Sequence, residues 1–244
     1  MVVVRFLGSG SGVLAGGRSQ SMILIEGPGG HLLIDAGQPL QKRLFEEGVD
    51  PLKIRDIVIT HAHADHVMGL PGLLFELDAM GVRESPVIWV GASHHTRIRG
   101  MLESFKPSRM KLNLNVFDDK TVNMLDTGVF RVETFPVRHS MPTVGVRVVG
   151  GEGDCLLFYS SDTVFVKELA DKADCRVGVH EATLPDSMKG EGELRGFHST
   201  PSEALEVLKK ADIRVLYHIS IASFKDGYPR GNYIIAYDGL TITV

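Results

Sequence analysis

The sequence predicts an α/β fold in which two β-sheets pack together, helices lie outside, and a site runs along one edge. Three observations predict it. Short apolar runs rich in β-branched residues recur along the whole chain, and helical patterns separate them. Most of the 10 histidines fall in short polar breaks at the ends of those runs. The 244 residues carry no repeat, low-complexity tract or Pro/Ser-rich linker, so one domain spanning 1–244 is expected. Hydrophobic residues make up 43% and charged residues 23%, with a mean hydropathy of +0.06. That composition supports a sizeable core and excludes a disordered or fibrous chain. No apolar run approaches the roughly 18 residues needed to cross a bilayer. The formal net charge of −4 argues against a dedicated nucleic-acid coat protein, but not against an enzyme whose bound cations supply positive charge.

The elements follow in order. Met1–Leu7 is too short and too poor in basic residues for a signal peptide and reads as a first strand. Strands at Met22–Ile25 and His31–Ile34 flank Gly27-Pro28-Gly29-Gly30, a hairpin turn. Arg55–Thr60 is a further strand. Val67, Leu70, Leu73, Leu74 and Leu77 then recur at helical spacing. Val87–Val90 is a strand and Thr96–Phe105 a helix that His94-His95 would open. In the second half, strands are expected at Phe130–Pro136, Val144–Val149, Cys155–Ser160, Val177–Val179 and Arg214–Tyr217. A helix is expected from Ser202 to Ala211, with Thr200 as N-cap, Pro201 at its first position and Glu203 completing a capping box. Cys155 and Cys175 offer no disulfide framework and read as small buried residues. These features together favour the cytoplasm.

Chemistry concentrates in Thr60-His61-Ala62-His63-Ala64-Asp65-His66, which follows a strand and precedes a helix. Residues two apart on extended backbone point the same way, so His61 and His63 can hold one metal. The turn into the helix aims Asp65 and His66 at a second position, and the intervening alanines let the backbone approach. Imidazole and carboxylate ligands suit Zn²⁺, Mn²⁺ or Fe²⁺.

This segment resembles the HxHxDH signature of the metallo-β-lactamase superfamily. Leu33-Ile34-Asp35-Ala36-Gly37 resembles the first motif of that superfamily, and Ala236–Ile242 its closing strand pair. The resemblance spans the chain. It implies an αββα sandwich of two mixed β-sheets flanked by helices, with two divalent ions between them. Carried over residue by residue, it makes His139 the third ligand of the first metal, Asp162 the bridging carboxylate and His218 the last ligand of the second. Asp35 would orient a ligand imidazole. Two cations so held lower the pKa of water towards neutral and stabilise the anion that develops on an attacked ester.

His180-Glu181-Ala182-Thr183 and His198-Ser199-Thr200 resemble the HEAT and HST motifs of the ribonuclease Z branch. The likeness implies that His198 is the general acid and phosphate contact and that Glu181 orients it, with Asp65 a third catalytic residue and Ser199 and Thr200 beside the substrate. His198 also precedes a helix N-terminus, which favours anions and would lower its pKa, an effect a carboxylate partner offsets. His180 reads as structural.

Other features depart from that branch. His139 and Asp162 are too close in sequence to hold its long tRNA-gripping arm. Of its Pro-x-Lys-x-Arg-Asn loop, Leu14–Ser19 keeps only Arg18, the residue implied to contact substrate. Arg97, Arg99, Lys106, Arg109 and Lys111 form either a phosphate-binding strip or a solvated face. The leading expectation is a metal-dependent phosphodiesterase resembling ribonuclease Z, acting on tRNA 3′ ends, and the resemblance implies a homodimer. Rivals are a phosphodiesterase for small cyclic or nucleotide phosphates, a carboxylic ester or lactone hydrolase, and a di-iron redox protein.

Overall fold

The computed structural model describes every residue except Leu14, Glu152 and 192–196. The chain runs β1 (Val3–Gly8), β2 (Met22–Gly27), β3 (Gly30–Ile34), α1 (Leu40–Glu46), β4 (Ile54–Ile59), α2 (Ala64–Val67), α3 (Leu70–Ala79), β5 (Glu84–Gly91), α4 (His95–Phe105) and β6 (Lys111–Phe117). It continues through β7 (Asn123–Asp126), β8 (Arg131–Val137), β9 (Thr143–Val149), β10 (Cys155–Tyr159), β11 (Val177–Glu181), α5 (Pro201–Val207), β12 (Ile213–Tyr217), α6 (Ile221–Asp226), β13 (Ile234–Ile235) and β14 (Thr241–Thr243). The strands form two mixed seven-stranded sheets, ordered β14-β1-β2-β3-β4-β5-β6 and β13-β12-β11-β10-β9-β8-β7. This is the expected αββα sandwich.

Strand periodicity explains why the strands read as unbroken apolar runs. On β2, Ile23 and Ile25 enter the core between the sheets, where they join Val146, Val148, Leu157 and Val215. Met22 and Leu24 face the other way, into a layer with Leu40, Leu44, Leu73 and Leu77 of α1 and α3. A strand buried on both faces has no polar face to display. The second sheet is covered on its outer side by α5 and its 3-10 extension, with Val207 and Leu208 packing on Phe135 and Phe158.

Three expectations need correction. The helix read through Val67–Leu77 is two helices, because Pro71 sits in the first turn of α3 and cannot donate to a preceding turn. The closing segment is not a strand pair: β13 lies in the second sheet and β14 pairs with β1 in the first, so residues 236–240 cross between sheets. Cys155 and Cys175 are bonded to each other, not separate buried thiols. β10 and β11 are parallel with Leu157 opposite Val177, a register that brings residues 155 and 175 to a Cα–Cα distance of 4.7 Å. Nothing local in the sequence reveals that register. α1, β6, β7 and α6 were not anticipated.

Two buried tyrosines tie the sheets together beneath the histidine-bearing edge. The Tyr217 hydroxyl donates to Gly8 O at 2.6 Å and accepts from Met22 N at 2.8 Å. Ser21 Oγ lies 3.2 Å from both Tyr217 Oη and Tyr159 Oη. Tyr217 immediately precedes His218, and Tyr159 lies three residues before Asp162, so the clamp sets where both side chains sit relative to the first sheet. Tyr217→Phe strands a buried donor and a buried acceptor and is expected to cost about 1–3 kcal/mol. Differential scanning calorimetry should show a melting temperature several degrees lower; an unchanged value would discount the clamp.

Candidate metal centre

The clustered side chains come from the carboxyl ends of strands, the usual place for a ligand site in open sheets. The turn from β4 into α2 delivers His61, His63, Asp65 and His66. The β8–β9 connection delivers His139, the segment after β10 delivers Asp162, and β12 ends at His218. Gly37 makes the first turn possible: a Cβ there would lie 2.4 Å from Asp65 O. Among the described residues, the non-glycine positions with positive φ are Asp35 (59°), Ser161 (54°), Phe197 (65°) and His218 (56°). His218 is itself one of the clustered side chains, Ser161 precedes Asp162, Phe197 precedes His198, and Asp35 bonds to His66. Backbone held in this sparsely populated region marks a place where the fold over-determines geometry.

Two separate groups of ligand atoms form, His61, His63, His139 and Asp162 in one and Asp65, His66 and His218 in the other, and a third, Asp162, His198 and His218, overlaps both. Within each, the atoms lie within 4.8 Å of one another. The tautomers are fixed from behind. His61 Nδ1 lies 3.1 Å from Thr60 Oγ1, and His139 Nδ1 donates to Phe197 O at 3.0 Å. Their Nε2 atoms therefore present lone pairs, and both face His63 Nδ1, at 3.0 and 3.1 Å. Three imidazole nitrogens converging on one point share at most one proton, which is the donor arrangement a cation takes. Burial, with the imidazoles of His66 and His139, holds His61 well below the usual imidazole range, so it is neutral.

In the second group, His66 Nδ1 donates to Asp35 Oδ2 at 2.7 Å, leaving Nε2 buried without a hydrogen-bond partner. Asp162 Oδ1 is likewise buried without one. These orphaned atoms fit a metal: Asp162 Oδ2 lies 3.5 Å from His66 Nε2, 3.8 Å from His61 Nε2 and 3.9 Å from His139 Nε2, so this carboxylate reaches both groups. Burial opposes charge on His66, yet Asp35 and Asp162 hold its pKa well above the ordinary value. The same negative field that retains a proton at Nε2 would retain a divalent cation in its place. Asp35 also accepts from Thr60 N and Thr60 Oγ1 at 2.9 and 3.0 Å, which fixes both its oxygens. Asp35→Asn should weaken Zn²⁺ affinity about 10–100-fold; competition against a chromogenic chelator measures it, and wild-type affinity would deny Asp35 its orienting role.

Beside the two groups, His198 Nδ1 donates to Glu181 Oε1 at 2.9 Å. Glu181 is fully buried and also accepts from Thr163 N and Thr183 N, both at 3.0 Å. Burial would lower the His198 pKa, but Glu181, with Asp162 and Asp65, raises it to about 9. His63, Asp65, Asp162, His198 and His218 share a cleft of about 250 Å³ with Ser11, Gly12, Val13, Thr183 and Ser220.

Other expectations shift. Ser199 and Thr200 do not reach the cleft: both are fully buried, with Ser199 Oγ donating to Thr163 O at 2.8 Å and Thr200 Oγ1 capping α5. Their role is to hold the His198 turn. Arg18 is anchored, its guanidinium donating to Ala236 O at 3.2 Å; Leu14 of the same stretch lies outside the described residues. His180 is buried and donates through Nδ1 to Glu181 O. His94 precedes α4 and reaches Pro142 O, three residues beyond His139. The basic strip is largely spent on ion pairs, Lys106 with Glu103, Arg109 with Asp78 and Lys111 with Glu84. Thr60 and Thr183, members of the two quoted motifs to which the sequence assigns no role of their own, hold Asp35 and His218.

Residues 2–218 match the family described as anti-Pycsar protein Apyc1. A ribonuclease Z of Methanopyrus kandleri is 30% identical over 257 aligned residues, covering 90% of this chain and 87% of that one. A ribonuclease Z of Methanococcus maripaludis is 26% identical over 301, covering 96% and 97%. Both alignments are longer than the chain itself, so those relatives carry segments it lacks. The crystal structure of human tRNase Z, short form, superposes with a TM-score of 0.80 at 25% identity, covering 99% and 98% of the two chains. The chain belongs to the Apyc1 family and to the ribonuclease Z-like branch of the metallo-β-lactamase superfamily, and it is a metal-dependent hydrolase.

Proposed function

We propose that the chain hydrolyses phosphodiesters, with His198 as the acid that protonates the departing oxygen. The carrying observation is the His198–Glu181 pair at 2.9 Å beside Asp162. The pair suits a departing oxygen that needs a proton, and the likeness to ribonuclease Z supports a phosphodiester over a carboxylic ester as its source. His61, His63, His139 and Asp162 would hold one divalent ion, and Asp65, His66 and His218, with Asp162 between the groups, a second. Zinc is the first choice for this donor set, with manganese or iron as alternatives. When bound, such ions generate a nucleophile from water at neutral pH and neutralise charge on phosphoryl oxygens. Glu181 keeps the His198 ring oriented and its Nδ1 occupied, so the proton delivered is the one on Nε2. Asp35 and Thr60 hold His66 and His61 in the tautomers that leave Nε2 free.

The relatives named ribonuclease Z support a tRNA 3′ end as substrate. The segments they carry and this chain lacks, with the small cleft, favour a second reading: a small cyclic or nucleotide phosphodiester. The metal-loaded protein should be offered bis-p-nitrophenyl phosphate, precursor tRNA, cyclic nucleotides and a lactone. Turnover of the lactone alone would eliminate the phosphodiesterase reading, and cleavage of cyclic nucleotides with precursor tRNA intact selects the second.

A homodimer is the proposed assembly. Phe75 and Phe105 are exposed on α3 and α4, and Met68, Pro71 and Phe105 line an apolar groove that a second copy would cover. Sedimentation velocity tests it. Among the described residues no helix is long and apolar enough to cross a membrane. A cytoplasmic location is proposed on the ribonuclease Z likeness; the Cys155–Cys175 bond runs against it, because disulfides are rare in reducing compartments. Thiol trapping in intact cells decides: two reactive thiols per chain support the cytoplasm.

A further inference from the structure

We infer that Phe224 is a stacking platform for a nucleobase at the lip of the cleft, so that the favoured substrates carry a nucleoside next to the scissile phosphate. The inference rests on the phosphodiesterase reading and narrows it. Phe224 lies on α6, whose N-cap Ser220 is a wall of the cleft, and Phe224 N bonds back to Ser220 O at 3.0 Å. The residue is 49% exposed. Scattered exposed apolar side chains are ordinary, but this ring is held from behind. The Arg18 guanidinium sits 5.5 Å from its centroid, and Arg18 is itself fixed to Ala236 O. Gly16 lies beside the ring, where a Cβ would be at ordinary contact distance, 3.9 Å, from its edge, and its φ of 59° is what favours glycine there. That loop begins at Ser11, Gly12 and Val13, which also line the cleft, and a Cβ on Gly12 would lie 3.1 Å from Asp65 Oδ2. Gly12 thus lies against Asp65 while Gly16 and Arg18 lie against the aromatic ring.

A half-exposed aromatic residue backed by a guanidinium is pre-organised for a flat apolar ligand, at little entropic cost. Beside a phosphodiester centre, that ligand is a base. Stacking tolerates any base, because every base has a π-face. Arg18 on this account is a positioning residue acting through Phe224, not a phosphate contact.

The test is calorimetric titration of zinc-loaded protein with adenosine 5′-monophosphate, cytidine 5′-monophosphate and methyl phosphate. Wild type should bind both nucleotides about tenfold or more tighter than methyl phosphate, the size of one stacked base. Phe224→Ala should reduce that ratio about tenfold, and Phe224→Tyr should keep it. Arg18→Ala should reduce it partway. A wild-type ratio near one, or an Ala variant that keeps the wild-type ratio, overturns the proposal and assigns Phe224 to packing. Hydrolysis of methyl p-nitrophenyl phosphate by the wild type is scored separately. Its absence would refute the phosphodiesterase reading, while the nucleotide ratio still reports on the platform.

Discussion

The wild type is expected to bind two equivalents of zinc and an Asp162→Ala protein at most one, with phosphodiester turnover lower by about 10²–10³-fold or more. Asp162 is the one side chain among the described residues placed between both ligand groups, with its Oδ1 3.3 Å from His218 Nδ1 and its Oδ2 near His61, His66 and His139. Burial opposes its charge, but His218 and His66 hold its pKa well below the usual carboxylate value, so it offers a full negative charge to a cation. Alanine removes that charge and leaves imidazoles that repel one another when protonated. Elemental analysis after dialysis gives the stoichiometry. Far-UV circular dichroism of both metal-free proteins separates loss of ligand from loss of fold. Two equivalents retained at wild-type affinity would show that the carboxylate does not join the two groups.

The ligand motif was legible because its chemistry is local. His61, His63, Asp65 and His66 fall within six residues at the end of an apolar strand, and neither a core nor a surface turn selects that pattern. His139, Asp162 and His218 were legible only through likeness to a family. Each is a single polar residue at a strand end, and which strand ends meet is decided by long-range pairing. The same blindness explains the Cys155–Cys175 bond, which follows from a parallel register two strands share. It also explains the reassignment of Ser199 and Thr200. A hydroxyl beside His198 reads as a substrate contact until burial shows it satisfying backbone at Thr163 and at the start of α5. β6 and β7 stand apart. β6 in fact carries the period-2 signal, polar and apolar alternating from Lys111 to Val116, whereas β7 is only four residues long and shows no pattern.

His198→Ala should cut phosphodiester turnover by about 10²–10⁴-fold with zinc content unchanged, and its pH dependence separates an acid from a scaffold. A general acid works protonated, so the rate falls as pH rises through its pKa. Glu181 is the leading support of the imidazolium, which the folded chain carries up to about 9. Cations bound among Asp65 and Asp162 would cancel part of the help those two carboxylates give, but not the direct bond to Glu181. Glu181→Gln keeps a hydrogen-bond acceptor and removes the charge. The His198 pKa must then fall, and the alkaline limb of kcat must move to lower pH. Glu181 also accepts from Thr163 N and Thr183 N, bonds that the amide oxygen of glutamine can only partly replace, so Thr183 and its partner His218 report on structural damage. The discriminating substrate is one whose leaving group needs no proton. With p-nitrophenolate as leaving group the His198→Ala defect should shrink, because the departing oxygen is already a stable anion; with an alkoxide leaving group it should be full. Equal defects on both, with no movement of the alkaline limb in Glu181→Gln, would remove His198 from proton transfer and leave it as a contact to phosphate alone.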